Sequence, residues 1–260
     1  MQGRTGFIQS IGKALGRGAG NPADTAIFTT TASLEQEAVL NRVKARSSAK
    51  RRQLRDVIEQ VAGPLHIDFH PEDDLDDIAG AIGKLIRDKD PEWGTEKSVV
   101  RWDHPLLNRL NLEYLPELSS VTIHTTDSEK GEQGTKGSPV EQQATVRQKV
   151  EASFIGITSA DYLVAATATL AMRSRPGHAR SVSLVPSIHI VVIEEDKLLA
   201  TLEELYTLLK WDPKERAQGL TNCFSLVSGP SKTGDIELIM VHGAHGPREL
   251  HLFVVAGENT

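Results

Sequence analysis

Residues Pro64-Leu-His-Ile-Asp-Phe-His-Pro-Glu-Asp-Asp-Leu-Asp-Asp-Ile-Ala-Gly-Ala-Ile-Gly-Lys-Leu-Ile-Arg87 hold two periodicities side by side, and the fold is read from them. Pro64 to Phe69 is a short apolar-rich run of strand length. From Asp73 to Arg87, the residues Leu75, Ile78, Ala79, Ile82, Leu85 and Ile86 recur three and four apart, which predicts a helix with one apolar side. The acidic run Glu72 to Asp77 opens that helix, where the partial positive charge of free amides favours carboxylates. The alternation continues outward. Ser98–Trp102 reads as a strand, Pro105–Tyr114 as a helix, Val121–Thr125 as a strand and Glu141–Ala152 as a helix. Phe154–Thr158 and Ile188–Ile193 read as strands, Lys197–Leu209 as an amphipathic helix and Cys223–Val227 as a strand, and Leu250, Leu252 and Val254 lie on a last strand. Strands alternating with helices predict an α/β fold, a mostly parallel sheet flanked by helices.

Between these elements, Ser159–Val164 reads as a turn or short helix and Ala165–Met172 as a strand of small residues. Thr167 and Thr169 either present hydroxyls to a ligand or mark close backbone packing. His189, inside a strand, reads as a satisfied core or edge histidine rather than a catalytic one. Asp127 to Val140 is polar and glycine-rich, a long surface connection or a lid.

Toward the N-terminus, Leu34 to Val61 reads as one long helix capped by Ser33, its basic residues Arg42, Lys44, Arg46, Lys50, Arg51, Arg52 and Arg55 on a solvated face. Phe7, Ile8, Ile11 and Leu15 predict a short helix from Arg4 to Leu15, and Asn21 to Ser33 reads as a linker. The expected division is therefore an N-terminal helical extension and linker over residues 1–33 and an α/β domain over 34–258. Gly16-Arg-Gly-Ala-Gly20 follows no strand and lacks the Gly-x-Gly-x-x-Gly order, so dinucleotide binding is set aside.

The 260 residues carry a net charge of −6, which argues against a nucleic-acid partner. The single cysteine, Cys223, cannot form a disulfide within the chain or hold a four-thiolate cluster by itself. No run of eighteen apolar residues and no signal-peptide core are present, so no membrane span is predicted and a cytoplasmic location is the expectation.

Chemistry concentrates in Gly229-Pro-Ser-Lys-Thr-Gly-Asp-Ile-Glu-Leu-Ile-Met-Val-His-Gly-Ala-His-Gly-Pro247. After the strand ending at Val227, Ile236, Ile239 and Met240 lie at helical spacing. They predict a helix starting near Ser231 or Thr233 and ending at Gly243. A glycine turn leading into a helix N-terminus makes an anion site, with Lys232 adding charge and Ser231 and Thr233 adding hydroxyls; simple capping explains the same residues. No Gly-Lys pair precedes Thr233, so this is not an ATP-binding Walker loop. His242 and His245 are expected to shape or line the pocket rather than bind metal, because Gly243 interrupts the helix between them and no third ligand is near in sequence; no metal is assigned. The predicted ligand contacts are Gly229, Ser231, Lys232, Thr233, His242 and His245, faced by Thr167 and Thr169. Glu237 and Asp235 are the carboxylate candidates for base or nucleophile.

These motifs resemble those of the lactate-utilisation protein C family, whose domain is called LUD. The resemblance is carried by Gly229 to Glu237, His242 to Pro247, Gly156-Ile-Thr-Ser-Ala-Asp161, Ala165-Ala-Thr-Ala-Thr-Leu170 and Leu184-Val-Pro-Ser-Ile-His189. It implies a fold like that of CoA-transferases and ribose-phosphate isomerase, a role in oxidising L-lactate to pyruvate, and partner subunits that hold iron–sulfur clusters. No cofactor is expected in this chain itself. Ala166 and Ala168 stand where the family usually has an acid and a glycine, and Gly234 where it usually has alanine. Three functions follow. One is a non-redox component of a lactate-oxidising system that binds a small organic acid or supports its partners. Another is a stand-alone enzyme acting on a phosphorylated or CoA-linked substrate. The third is a regulatory module without catalysis, which Ala166 and Ala168 favour.

Overall fold

The structure, a computed structural model, describes residues 10, 14, 31–70, 72, 74–92, 94–126, 138–219, 221, 223–234 and 240–256. The chain divides into two compact units, residues 1–38 and 39–260. Most of the helix expected from Arg4 to Leu15 and most of the linker to Ser33 fall outside the described residues, as does the connection 127–137. At Ser33 the predicted cap is present: its hydroxyl accepts from the Gln36 amide at 3.2 Å while its own amide donates to the Gln36 side chain at 3.0 Å.

The long helix read from Leu34 to Val61 is two helices, α1 (Leu34–Lys44) and α2 (Ser48–Ala62). Ser47 caps the second, accepting from the Lys50 amide at 3.3 Å. The break places Arg46 indoors. Its guanidinium donates to both oxygens of buried Glu204 at 2.7 and 2.8 Å and to the Leu198 carbonyl at 2.9 Å. The expected solvated face is thereby corrected at this position: one arginine of the basic run is a buried clamp.

The main sheet has six strands in the order β1-β12-β7-β4-β2-β3, every pairing parallel. They are β1 (Ile67–His70), β2 (Ser98–Arg101), β3 (Thr122–Thr125), β4 (Ile155–Thr158), β7 (Ile188–Glu194) and β12 (Glu249–Val255). The α/β reading of the alternation therefore stands. The central strands are buried on both faces, as helices covering both sides of a parallel sheet require. Crossovers include α3 (Leu75–Asp88), capped by Asp74, whose Ile78, Ile82 and Ile86 are buried, and α5 (Pro139–Ala152), opened by a Ser138–Glu141 capping box. The helix expected over Pro105–Tyr114 is only α4 (Pro105–Asn108) followed by a 3-10 turn, Leu112–Tyr114.

A second sheet, β8-β5-β6-β9, comprises β5 (Tyr162–Val164), β6 (Thr169–Arg173), β8 (Leu198–Leu199) and β9 (Phe224–Val227). Tyr162–Val164 is thus a strand, not a turn or helix. The small-residue stretch bends at Ala165–Thr167 before β6 begins, and Ala168 takes a left-handed backbone at φ 42°. Helices α6 (Leu202–Trp211) and α7 (Pro213–Gln218) follow β8, so the helix predicted from Lys197 starts five residues later.

The predicted helix after Ser231 is absent from the described residues. Instead β10 (Lys232–Gly234) pairs antiparallel with β11 (Met240–His242), Lys232 opposite His242 and Gly234 opposite Met240. The Ser231 amide donates to the Pro247 carbonyl at 2.7 Å, and the Gly243 amide to the Ser231 carbonyl at 2.9 Å. A few apolar residues fit a helix or a hairpin equally well, and here cross-strand pairing prevails.

Candidate functional site

Without a helix N-terminus, the convergent amides expected at Ser231 and Thr233 do not form there. The Lys232 ammonium donates to the Leu65 carbonyl at 2.9 Å. Gly229, at φ +98°, lies so close to that carbonyl that a Cβ would sit 2.6 Å from it. Gly229, Ser231 and His245 line a cavity of about 200 Å³, whereas Lys232, Thr233, Thr167 and Thr169 do not line it. Thr167 and Thr169 bond each other at 2.6 Å, and Thr169 reaches Ser228 at 2.7 Å, beside Gly229. Asp235 and Glu237 lie outside the described residues, and only the backbone of His242 is described.

This cavity is mostly apolar, walled by Leu184, Val227, Pro230 and Leu250. His189 enters it fully buried. Its Nε2 meets the Thr158 hydroxyl at 2.8 Å, its Nδ1 has no hydrogen-bond partner among the described residues, and burial pushes its pKa down to about 3. The neighbouring Gly156 is obligatory for packing, because any Cβ there would overlap the Val182 carbonyl. Among the described residues no lysine or arginine lines this cavity.

A different cavity, of about 170 Å³, lies just beyond the C-terminal ends of β2 and β4, where open parallel sheets receive ligands. Trp102 and His104 arrive from β2, Ser159 and Asp161 from β4, Arg175 and His178 from beyond β6, Lys197 from beyond β7 and Glu215 from α7. Its acids are engaged. Asp161 accepts from the Arg173 amide at 2.7 Å and is ion-paired with the Arg175 guanidinium. Glu215 is ion-paired with Arg173 and accepts from the Tyr162 hydroxyl at 2.7 Å. Burial, then that carboxylate, pushes the Tyr162 phenol up, so it remains a donor. Arg175 retains a buried Nε without a partner among the described residues, and Lys197 stands at the rim, 41% exposed.

The histidines are held by packing. His178 stacks on Trp102 with ring centroids 4.7 Å apart and planes 3° from parallel, while the Trp102 indole donates to the Ala179 carbonyl at 2.9 Å. His104 lies 5.2 Å from His178 and caps α4, its Nδ1 accepting from the Leu106 amide at 3.2 Å. That bond fixes the tautomer with the proton on Nε2. Burial, then His178 and Arg175, push His104 down to about 4; burial, then Arg175, lower His178. Both imidazoles are therefore neutral at pH 7.

Sequence reading missed this group because its members come from five separate segments. The available signal was positional: Trp102, His104, Ser159 and Asp161 immediately follow strands, the C-terminal edge where α/β sheets bind ligands. Asp161 closes one of the motifs that carry the family resemblance.

An α/β chain with an all-parallel sheet and a polar cavity at its strand ends is the class of protein defined so far. The chain belongs to the LUD domain family, which it matches over residues 65–255. It is 25% identical over 247 residues to lactate utilization protein C of Halalkalibacterium halodurans, covering 95% of both chains. It is 27% identical to lactate utilization protein C of Shouchella clausii, covering 80% of this chain and 81% of that one. The crystal structure of a DUF162 family protein from Deinococcus radiodurans shares the fold, with a TM-score of 0.50 at 19% identity over 80% of this chain and 98% of that one. Among the described residues no helix is long and apolar enough to cross a membrane.

Proposed function

We propose that this protein is a non-redox component of an L-lactate utilisation system and that it binds a small organic acid, lactate or pyruvate, in the cavity between His104, His178 and Arg175. The observation that carries the reading is Arg175: it lines a cavity of about 170 Å³ with a buried Nε that has no partner among the described residues. A buried donor on a permanent cation calls for an acceptor, and a carboxylate supplies one. Lys197 adds a second positive charge at the rim. Neutral His104 suits a hydroxyl or keto oxygen, because its proton is on Nε2. The volume favours a three-carbon acid over a nucleotide-bearing thioester. The names of the curated relatives support the lactate connection. Oxidising lactate releases two electrons, and in this reading they leave through partner subunits that carry iron–sulfur clusters, since one cysteine cannot hold a four-thiolate cluster.

Titration calorimetry with L-lactate, pyruvate, ribose 5-phosphate and CoA tests the reading. Saturable binding of lactate or pyruvate that is lost in Arg175→Gln supports it. Binding of the phosphorylated compounds alone points to the stand-alone enzyme instead. The same acid affinity in Arg175→Gln as in the wild type overturns the site.

A further inference from the structure

We propose that the edge of the main sheet formed by β1 and β12 carries a divalent transition-metal site, with His70, His251 and Asp68 as ligands and Glu249 orienting His251. The parallel register sets Asp68 opposite His251 and His70 opposite Phe253, so alternation places Asp68, His70, Glu249 and His251 on one face. His251 is only 5% exposed. Its Nε2 lies 3.0 Å from a Glu249 oxygen. An ionised carboxylate only accepts, so the proton is on Nε2 and Nδ1 presents a lone pair that His70 Nε2 approaches within hydrogen-bond distance. Facing that lone pair are His70 Nε2 at 3.1 Å and an Asp68 oxygen at 3.6 Å.

Those separations suit a shared ion. Bonds of about 2.0–2.1 Å to a tetrahedral centre place neighbouring ligand atoms roughly 3.3–3.4 Å apart. The two distances around Nδ1 bracket that value. A hydrogen-bonded carboxylate behind a ligating imidazole is also the arrangement that fixes metal-binding histidines. Here Glu249 is itself held by the Lys89 ammonium at 2.6 Å. His70 is fixed by stacking on Phe253, with centroids 4.3 Å apart and planes within 6°. Glu72 gives a second, independent pointer. One of its carboxylate oxygens is buried with no hydrogen-bond partner among the described residues, and its charge acts on His70. A buried acceptor left unengaged, whose charge reaches His70, is a cost that a cation would relieve. Asp68 is exposed on its outer side, which leaves a fourth position open to water. Two imidazoles and one carboxylate fit Zn²⁺ and its mimic Co²⁺ rather than the oxygen-seeking Ca²⁺ or Mg²⁺. The site lies on strands at the opposite side of the sheet order from β2 and β4, so it is separate from the acid cavity.

The test uses the full chain without a histidine tag, stripped with a chelator and titrated with Zn²⁺ by calorimetry and with Co²⁺ by visible absorption. The expected result is one equivalent bound, with tetrahedral Co²⁺ bands, weakened about tenfold or more in Asp68→Asn and His251→Gln and unchanged in His245→Gln. Zn²⁺ should also raise the melting temperature of the wild type but not of Asp68→Asn, whose exposed position spares the fold even where His251→Gln does not. Absence of stoichiometric binding, or equal affinity in wild type and Asp68→Asn, would overturn the proposal.

Discussion

Two cavities of similar volume, about 170 and 200 Å³, are lined by histidines and by residues from motifs of the same family resemblance, yet they are chemically opposite. The cavity beyond β2 and β4 is lined by Arg175, Lys197, Asp161 and Glu215. The cavity beside Gly229 and Ser231 is lined mainly by apolar groups, with His189 its most deeply buried polar side chain. A small carboxylate needs a cationic donor, and among the described residues only the first cavity is lined by arginine or lysine, Arg175 keeping an unpartnered Nε although its guanidinium is ion-paired with Asp161. The difference shows that glycine, serine and histidine in a compact motif do not by themselves specify a helix N-terminus. Main-chain geometry decides it: a strand pair turns the amides sideways into cross-strand bonds, whereas a helix start would have aimed them at a ligand.

The largest effect expected is on stability and belongs to the charged cavity alone. Arg173→Met strands buried Glu215 without its ion-pair partner and should cost roughly 3–5 kcal/mol in urea unfolding; a loss below about 1 kcal/mol would show that the pair is solvated. Next comes ligand affinity. Arg175→Gln removes a charge-assisted contact of about 1.5–3 kcal/mol and should weaken lactate or pyruvate binding roughly 10- to 100-fold. His189→Phe, in the other cavity, should leave that affinity unchanged; a comparable loss there would merge the two cavities into one functional unit.

Both cavities keep neutral histidines, and pH can weigh them. His104 at about 4 and His189 at about 3 lie below the ordinary value of 6.5. The unfolded chain therefore takes up their protons first. Stability should hold above pH 6.5 and fall as pH drops toward 3, and His189→Phe should lessen the slope throughout that decline and remove what remains of it below about pH 4. A pH–stability curve without this slope would contradict the burial of both rings. The smallest effect concerns the bend at Ala168. Its left-handed backbone costs about 1–2 kcal/mol for a non-glycine residue, and deleting the buried methyl costs about 0.8 kcal/mol. Ala168→Gly should therefore gain roughly 0.5 kcal/mol on balance; clear destabilisation would mean that the methyl matters more than the strain.

Much of the sheet was legible in the sequence because its central strands are buried on both faces and appear as apolar runs, as at Ile190–Ile193. The helix Leu75–Asp88 was legible because its isoleucines return every turn. Three features were not. Arg46 sat in a basic run that looked uniformly solvated, and only its partner Glu204, 158 residues away, draws it inside. The hairpin at Lys232–His242 resembled a helix because too few apolar residues separate the two periods. The charged cavity is assembled by long-range pairing from segments with no shared local motif.

The central claim is that Arg175 holds the carboxylate of a small acid at the C-terminal ends of the parallel strands. Titration calorimetry of L-lactate and pyruvate into wild type and Arg175→Gln, with Lys232→Ala alongside, tests it most directly. Saturable binding by wild type and Lys232→Ala and a large loss in Arg175→Gln are expected. Retained affinity in Arg175→Gln together with a loss in Lys232→Ala would contradict it and return the site to the C-terminal motif.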